Sequence, residues 1–253
     1  MTQWGTAAIL TALFAGMTAA CVGVPPVGAA DVRPGPTQGL SLGETTWVVK
    51  AAKNRLGPGP NFFSRKNVSP AGPELPLSIE GADLGGGRTR WLCAEVYSRE
   101  EFGSGVFEID FRRSGAFDAQ AVFGFFLYND QYPPWFGEAD IELSFWGNRE
   151  RPELSFTVQG EGPLNTRQIS RAMPEGAGEY TARIEWTRKG LHFSVNTREG
   201  SPVADWAWQP AAAAAKSSGG EEPKRRRVHL NLWLYEGRAP AGDGALSVVI
   251  SDF

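Results

Sequence analysis

The sequence predicts an all-β protein built as an antiparallel sandwich or jelly roll, and three observations support this class. Short runs rich in β-branched and aromatic residues recur from Asp31 onward. Turn-forming clusters such as Gly57–Pro60 and Gly85–Gly87 separate these runs. No stretch of this region carries a long apolar stripe with the 3.6-residue period of a helix. Short strands at this spacing are typical of sandwiches and jelly rolls.

The predicted strands follow one another in chain order, each bounded by turn residues. They are Thr46–Val49, Leu75–Ile79, Arg90–Ser98, Gly105–Arg112, Ala121–Tyr128, Glu138–Phe145, Leu154–Val158, Tyr180–Thr187, Gly190–Asn196, Val228–Leu234 and Leu246–Phe253. A chain of 253 residues, 42% of them hydrophobic, is long enough to bury one sizeable core. We therefore expect residues 31–253 to form a single domain, with Gln209–Pro223 as a low-complexity, solvated loop.

Charge and composition exclude several classes of protein. The chain has 25 Lys and Arg against 28 Asp and Glu, a formal net charge of −3, so it lacks the concentrated basic face of nucleic-acid-binding proteins. Two His and two Cys argue against a His-rich metal site and a disulfide scaffold, and no metal or other cofactor is predicted. Cys93 lies in an apolar run and is expected to be a small buried hydrophobic residue.

The first thirty residues resemble an export signal. No charged side chain precedes Asp31, and Ala7–Ala20 is an apolar run too short for the ~20 residues that span a bilayer. Gly28–Ala30 suits a signal peptidase, whereas Thr18–Cys21 resembles a lipobox whose cysteine is lipidated. We expect residues 1–30 to be a signal peptide or lipoprotein signal and the protein to be secreted, periplasmic or anchored in the outer membrane through Cys21. The alternative is a disordered tail.

The chemistry is concentrated in one predicted strand. Side chains alternate along a strand, so Glu138, Asp140 and Glu142 share one face while the apolar residues between them enter the core. Crowded carboxylates raise at least one pKa, as a retaining glycosidase needs for its acid. The outer Cα atoms are about 13 Å apart, and inward-leaning Glu side chains approach the ~5–5.5 Å separation of retaining enzymes. The alternative is the wet face of an ordinary antiparallel sheet.

This strand resembles the active strand of glycoside hydrolase family 16, which comprises retaining endo-β-glucanases and galactanases. The family signature E-x-D-x-E corresponds here to Glu138-Ala139-Asp140-Ile141-Glu142. The resemblance extends to Cys93–Ser98 with Phe102–Glu108, to Phe125–Tyr128, to the "NLW" strand His229–Trp233 and to a loop at Asn54–Ser64. Together these segments cover about Trp47 to Phe253.

The resemblance implies a concanavalin A-like jelly roll with a concave substrate cleft. It also implies that Glu138 is the nucleophile, Glu142 the acid/base and Asp140 a helper that tunes both. The implied substrate is a polysaccharide, either a β-1,3- or mixed β-1,3/1,4-glucan or a related galactan, cleaved without a cofactor. The candidate sugar contacts are Asn61, Phe62, Glu95, Phe126, Tyr128, Trp135, Gln159 and Trp233. Phe125, Leu127 and Trp186 are instead expected in the core.

Departures from the family pattern leave the specificity and the reaction open. Tyr97 stands where several family members have Arg, so the sugar bound there is expected to differ. A transglycosylase using the same acids, a non-catalytic carbohydrate-binding lectin and a structural envelope lipoprotein are the alternatives. We expect the protein to be a monomer.

Overall fold

A computed structural model describes residues 40–129, 137–160, 166–210 and 225–253. Its strands in these ranges are β1 (Leu40–Leu42), β2 (Thr45–Val49), β3 (Phe62–Phe63), β4 (Leu75–Ser78), β5 (Glu80–Asp83), β6 (Thr89–Ser98), β7 (Gly105–Arg113), β8 (Ala121–Tyr128), β9 (Glu138–Ser144), β10 (Leu154–Gln159), β11 (Arg167–Arg171), β12 (Gly178–Thr187), β13 (Gly190–Thr197), β14 (Pro202–Trp208), β15 (Arg227–Leu234) and β16 (Ser247–Asp252). Arg65–Asn67 and Tyr235–Gly237 form short 3-10 helices. None of the helices in the described ranges has the length and apolar character needed to cross a membrane.

The strands assemble into two sheets. The larger sheet has the order β1-β2-β6-β15-β8-β9-β10-β11, with β3 and β5 joined to β6 outside this path. The smaller sheet has the order β14-β13-β12-β7-β16-β4. All named pairs are antiparallel except β3 with β6. The predicted class, an all-β antiparallel sandwich of the jelly-roll type, is confirmed.

The hydrophobic core joins the two sheets through aromatic contacts. The Phe111 ring on β7 lies 5.3 Å from that of Phe123 on β8, and Phe156 on β10 stacks at 5.6 Å on Phe193 of β13. Every second residue of the central strands is buried in this core. Burying each large apolar side chain stabilises the folded state by about 1.5–3 kcal/mol. The alternate residues of the larger sheet form its other face.

All the strands predicted from the sequence are present, with their ends shifted by at most two residues. The prediction missed β1, β3, β5, β11 and β14. Three of these, β1, β11 and β14, lie at sheet ends, and an edge strand tolerates polar residues because only one side is paired. β5 contains Glu80, Gly81 and Asp83, residue types depleted in strands. β3 is only two residues long.

The residues expected in the core are found there. Phe125 and Leu127 are fully buried, and Trp186 is 1% exposed. Cys93 is also fully buried, and burial raises the pKa of its thiol to about 12, which makes it a poor nucleophile.

Candidate functional site

Three acidic side chains project from β9 onto the same face of the larger sheet. Antiparallel pairing places Tyr128, Phe126 and Gly124 of β8 directly opposite Glu138, Asp140 and Glu142, respectively. The intervening Ala139, Ile141 and Leu143 are buried in the core. We call the face that carries the three acids the carboxylate face.

Two cross-strand rows extend the carboxylate face toward β6, because directly opposed residues in antiparallel strands share a face. In one row, Asp140 is followed by Phe126, then by His229 on β15 and Tyr97 on β6. In the neighbouring row, Glu142 is followed by Gly124, Asn231 and Glu95. The order of the strands therefore places the β9 acids on one face with residues that lie more than 40 positions earlier or later in the sequence.

Gly124 is required by the Asn231 side chain. A Cβ at position 124 would lie 2.6 Å from Asn231 Oδ1, which is closer than two nonbonded heavy atoms approach each other. Asn231 Oδ1 is buried and has no hydrogen-bond partner among the described residues. The glycine thus leaves room for this amide on the carboxylate face beside Glu142.

The electrostatics of the acids separate the two glutamates. Burial raises the pKa of Glu138 to about 7, helped by the charge of Glu95 and opposed by the hydrogen bond with Asp140 and by Lys50. Burial, followed by repulsion from Glu138, raises the pKa of Glu142 to about 8. Glu142 therefore holds its proton more strongly than Glu138, which is the order needed for an acid beside a nucleophile.

Asp140 is the least exposed of the three acids, at 2%. Burial and the charges of Glu138 and Glu142 raise its pKa well above the ordinary value, while Gln159 Nε2 donates a 3.3 Å hydrogen bond to its Oδ2. Its hydrogen bond with Glu138 lowers the pKa of Glu138 and raises that of Asp140. Asp140 is therefore the protonated donor and Glu138 the acceptor in this pair.

Glu95 is held by two cationic or polar partners rather than left open. Lys50 Nζ donates to its Oε2 at 2.8 Å, and His229 Nδ1 lies 3.2 Å from its Oε1. Burial raises the pKa of Glu95, but Lys50 and His229 outweigh it and the net pKa is lowered. Glu95 is 3% exposed and forms an ion pair with Lys50, and the sugar contact predicted for it remains a prediction.

Aromatic rings cover the part of the face next to Asp140. The His229 imidazole stacks on Phe126 at 4.8 Å and on Tyr97 at 5.4 Å, with interplanar angles of 24° and 23°. Tyr128 meets the same imidazole edge-on at 5.7 Å. Phe126 and Tyr128 therefore lie on one face, as the alternation predicts, although only 8% of Phe126 is exposed. Their predicted contacts with sugar remain predictions.

A second aromatic group lies farther along β15. Trp233 shares the face of His229 and Asn231 and packs edge-on against Trp146, with ring centroids 6.2 Å apart. Trp146 in turn meets Tyr235 edge-on at 5.5 Å. Trp233 is 8% exposed, so little of its side chain is accessible to a ligand.

Of two further predicted sugar contacts, Asn61 is buried and Phe62 is half-buried. The Asn61 amide donates to the carbonyls of Pro58 and Leu234, each at 2.9 Å, and so ties its loop to β15. Phe62 pairs with Leu92 whereas Phe63 pairs with Cys93, so the register aligns Phe63, and not Phe62, with the carboxylate-face row of β6. Trp135, also predicted as a contact, lies outside the described residues.

Lys50 and His229 were not among the residues singled out from the sequence. His229 had a detectable signal, because it stands two positions before Asn231 on a predicted strand and must share its face. Lys50 had no such signal in the sequence, because its contact with Glu95 depends on the pairing of β2 with β6. Only the folded sheet brings these residues within reach of the β9 acids.

Neither a scan against family models nor a search of curated proteins gives a match to this chain. Solved structures do resemble it. A pseudo β-1,3-glucanase and immunostimulatory antigen of Mycobacterium tuberculosis has a TM-score of 0.61 at 18% identity, covering 81% of this chain and 88% of that chain.

Two further structures show the same likeness. The β-glucanase of Bacillus licheniformis has a TM-score of 0.56 at 18% identity and covers 81% of this chain and 89% of its own. A glycoside hydrolase family 16 endo-glucanase from Bacteroides ovatus, in complex with G4G3G-2F-DNP, has a TM-score of 0.56 at 12% identity, with coverages of 81% and 92%. The chain therefore has the fold of glycoside hydrolase family 16.

Proposed function

We propose that this protein is a retaining endo-β-glycosidase that hydrolyses a polysaccharide by double displacement. The observation that carries this proposal is the pair Glu138 and Glu142, which share one face of β9 and have pKa values raised to about 7 and about 8. Two carboxyl groups with separated pKa values provide a nucleophile and an acid in one site.

The proposed reaction proceeds in two steps. A Glu138 oxygen forms a bond to the anomeric carbon as the bond from that carbon to the leaving oxygen breaks, and Glu142 gives its proton to the leaving oxygen. Glu142 then takes a proton from water, whose oxygen attacks the anomeric carbon and releases Glu138. Asp140 donates its hydrogen bond to Glu138 and so stabilises the ionised form of the nucleophile.

The proposed substrate class is a β-1,3- or mixed β-1,3/1,4-glucan or a related galactan. The structural neighbours from Bacillus licheniformis and Bacteroides ovatus are named as glucanases, which supports this choice. Transfer to an acceptor sugar instead of water would use the same acids, and analysis of products formed with added acceptor oligosaccharide separates the two reactions.

The test is release of reducing sugar by the full-length chain from laminarin, lichenan, xyloglucan, agarose and carrageenan. Glu138→Gln is compared with Glu108→Gln, an exposed position on the smaller sheet. We expect release from at least one polysaccharide, its loss in Glu138→Gln and its retention in Glu108→Gln. Equal release by wild type and Glu138→Gln would contradict the assignment of the nucleophile.

A non-catalytic glycan-binding protein is the second candidate. The neighbour from Mycobacterium tuberculosis is described as a pseudo β-1,3-glucanase, so this fold also occurs in a protein described in that way. The intact set of acids on β9 favours the enzyme. No release from any polysaccharide, together with equal retardation of wild type and Glu138→Gln in affinity gels, would establish the binding protein instead.

We also propose that the protein is exported and acts as a monomer. The signal at residues 1–30 and its Cys21 lie outside the described residues. Palmitate labelling of the expressed precursor tests lipidation, since label on wild type that is lost in Cys21→Ser is the expected result for a lipoprotein. Unlabelled wild type would favour cleavage after Ala30, and sedimentation of the mature protein tests the oligomeric state.

A further inference from the structure

His229 lies where a sugar chain crossing the strands of the carboxylate face would leave the acids. It is two strands from Asp140, with Phe126 between them, a distance of about 10 Å at ~4.8 Å per strand. A sugar unit above His229 therefore lies farther along the chain than the unit held at Glu138 and Glu142. A residue at this position can determine which sugar binds without taking part in bond cleavage.

The imidazole of His229 is fixed in orientation by its surroundings. Phe126 and Tyr97 stack on its two sides, which leaves the ring edges for polar contacts. Its Nδ1 lies 3.2 Å from Glu95 Oε1, and the other carboxylate oxygen of Glu95 accepts from Lys50. Lys50 is itself anchored, because it also donates to the carbonyl of Gly57 at 2.6 Å.

This contact determines which nitrogen carries the proton. The Glu95 carboxylate is ionised, since Lys50 and His229 lower its pKa in spite of burial, and an ionised carboxylate only accepts hydrogen bonds. Nδ1 must therefore be the protonated nitrogen. Burial lowers the pKa of His229, with Lys50 and Arg227 acting in the same direction and Glu95 against it, so the ring is neutral near pH 7.

The second nitrogen of this neutral ring is an open acceptor. Within the described ranges, Nε2 has no hydrogen-bond partner, and it is not among the buried polar atoms that lack one. The side chain keeps 12% of its surface exposed. Nε2 therefore presents its lone pair at the surface of the carboxylate face.

We propose that His229 is a specificity-determining residue whose Nε2 accepts a hydrogen bond from a hydroxyl group of a sugar unit beyond the one held at Glu138 and Glu142. This inference rests on the proposed function only in that it requires a glycan on the carboxylate face, and it does not require cleavage. It names the substrate unit at this position as a neutral sugar with a free hydroxyl. A sulfate or carboxylate group at this position is disfavoured, because its oxygens are acceptors and cannot donate a hydrogen bond to Nε2.

The test measures binding without turnover, in the Glu138→Gln background. Laminaritetraose, a mixed-linkage glucan tetrasaccharide and a sulfated carrageenan oligosaccharide are the probes, titrated by calorimetry. His229→Phe keeps the stack and removes the acceptor, and we expect it to weaken neutral-sugar binding about tenfold, the effect of one lost hydrogen bond. His229→Gln, which has both a donor and an acceptor, is expected to restore part of the affinity.

His192 supplies the matched control, since the chain has only two histidines and this one is exposed on the smaller sheet. His192→Gln is expected to leave affinity unchanged. It also reduces the ¹⁵N spectrum of histidine-labelled protein to His229 alone. We expect a protonated Nδ1 and an unprotonated Nε2 at pH 7.5, with a change in the Nε2 signal when a neutral tetrasaccharide is added.

Each result separates this inference from the proposed function. Full affinity in folded His229→Phe, a protonated Nε2, or preferred binding of the sulfated probe would overturn the role of His229 and leave the hydrolase intact. Binding that depends on His229 in a protein that cleaves nothing would overturn the hydrolase and support the role. Absence of binding to all three probes would contradict the inference itself.

Discussion

Two strands of this molecule carry nearly the same acidic motif in opposite circumstances. β7 contains Glu108-Ile109-Asp110, and β9 contains Glu138-Ala139-Asp140 followed by a further acid two positions on. In both strands the residues between the acids are buried in the core. Local alternation is therefore the same, and what differs is how deeply the acids are buried and which charges surround them.

The β7 acids are neutralised by arginine. Arg183 reaches Glu108 at 3.5 Å, and Arg198 pairs with Asp110, which also accepts a 2.6 Å hydrogen bond from Thr181. Among the residues that the structure describes, the β9 acids form no ion pair with arginine, and the nearby Lys50 is committed to Glu95. The β7 acids are more exposed and pair with arginine, whereas burial first, and repulsion between carboxylates second, raises the pKa values of the β9 acids.

The largest expected effect that tests this contrast is on catalysis by Glu142→Ala. We expect kcat on polysaccharide to fall by about 10²–10⁴-fold, because the general acid and base is lost. An aryl glycoside with a good leaving group needs no acid, and azide needs no base, so azide should restore turnover of that substrate by Glu142→Ala. Steady-state kinetics with and without azide measure this.

Glu108→Ala is the matched control on β7, and its rates should equal those of wild type with both substrates. Azide acceleration of Glu108→Ala, or none for Glu142→Ala, would mean that the charge environment of the two strands does not separate their roles.

The next effect concerns the pH profile. Glu138 must be ionised and Glu142 protonated, so kcat/KM should peak between about pH 7 and about pH 8 and fall about tenfold per unit on either side. The alkaline limb should disappear with an activated aryl glycoside, which needs no proton from Glu142. A profile already maximal at pH 5 would show that the pKa values of the β9 acids are not raised.

The faces on which the acids of both strands lie were predictable from the sequence, because they follow from period-two alternation. The shared face of Glu138, Asp140 and Glu142 and the burial of Phe125 and Leu127 depend only on which strand each residue occupies. The central strands were found because their core residues are β-branched or aromatic. Edge strands such as β11 lack this signal, since water covers one of their edges.

The remaining parts of the site depend on strand order, which the sequence pattern does not contain. Glu95 was predicted as a sugar contact from the family resemblance alone, and the sequence pattern does not identify its partners. Its partners, Lys50 and His229, reach it through β2 and β15, which flank β6 in the folded sheet. This pairing forms an ion pair that orients an imidazole, a contact that the sequence pattern did not predict.

A smaller effect is expected on stability. The pKa of Glu142 is raised on folding, so the folded state holds a proton that the unfolded state releases above about pH 4.5, and stability is lost as pH rises toward about 8. Glu142→Gln removes this cost. Its free energy of unfolding should exceed that of wild type at pH 8 by a few kcal/mol at most, since one pKa unit is worth about 1.4 kcal/mol, and the gain should shrink at pH 5. Urea titrations at both pH values measure it, and a gain independent of pH would refute this origin.

The smallest expected effect comes from Arg183→Gln on the smaller sheet. Arg183 lies between Glu108 and Glu185, at 3.5 and 3.4 Å, and all three side chains are more than a third exposed. Exposed pairs contribute about 0–1 kcal/mol and are screened by salt, so the loss of stability should stay under about 1 kcal/mol in low salt and vanish in 1 M NaCl. The rate on polysaccharide should not change, because Glu108 and Glu185 are exposed on the smaller sheet and water and salt screen their charge. A slower rate in Arg183→Gln would show that the charges around β7 affect the β9 acids through the core. The contrast between the two acidic strands would then not hold.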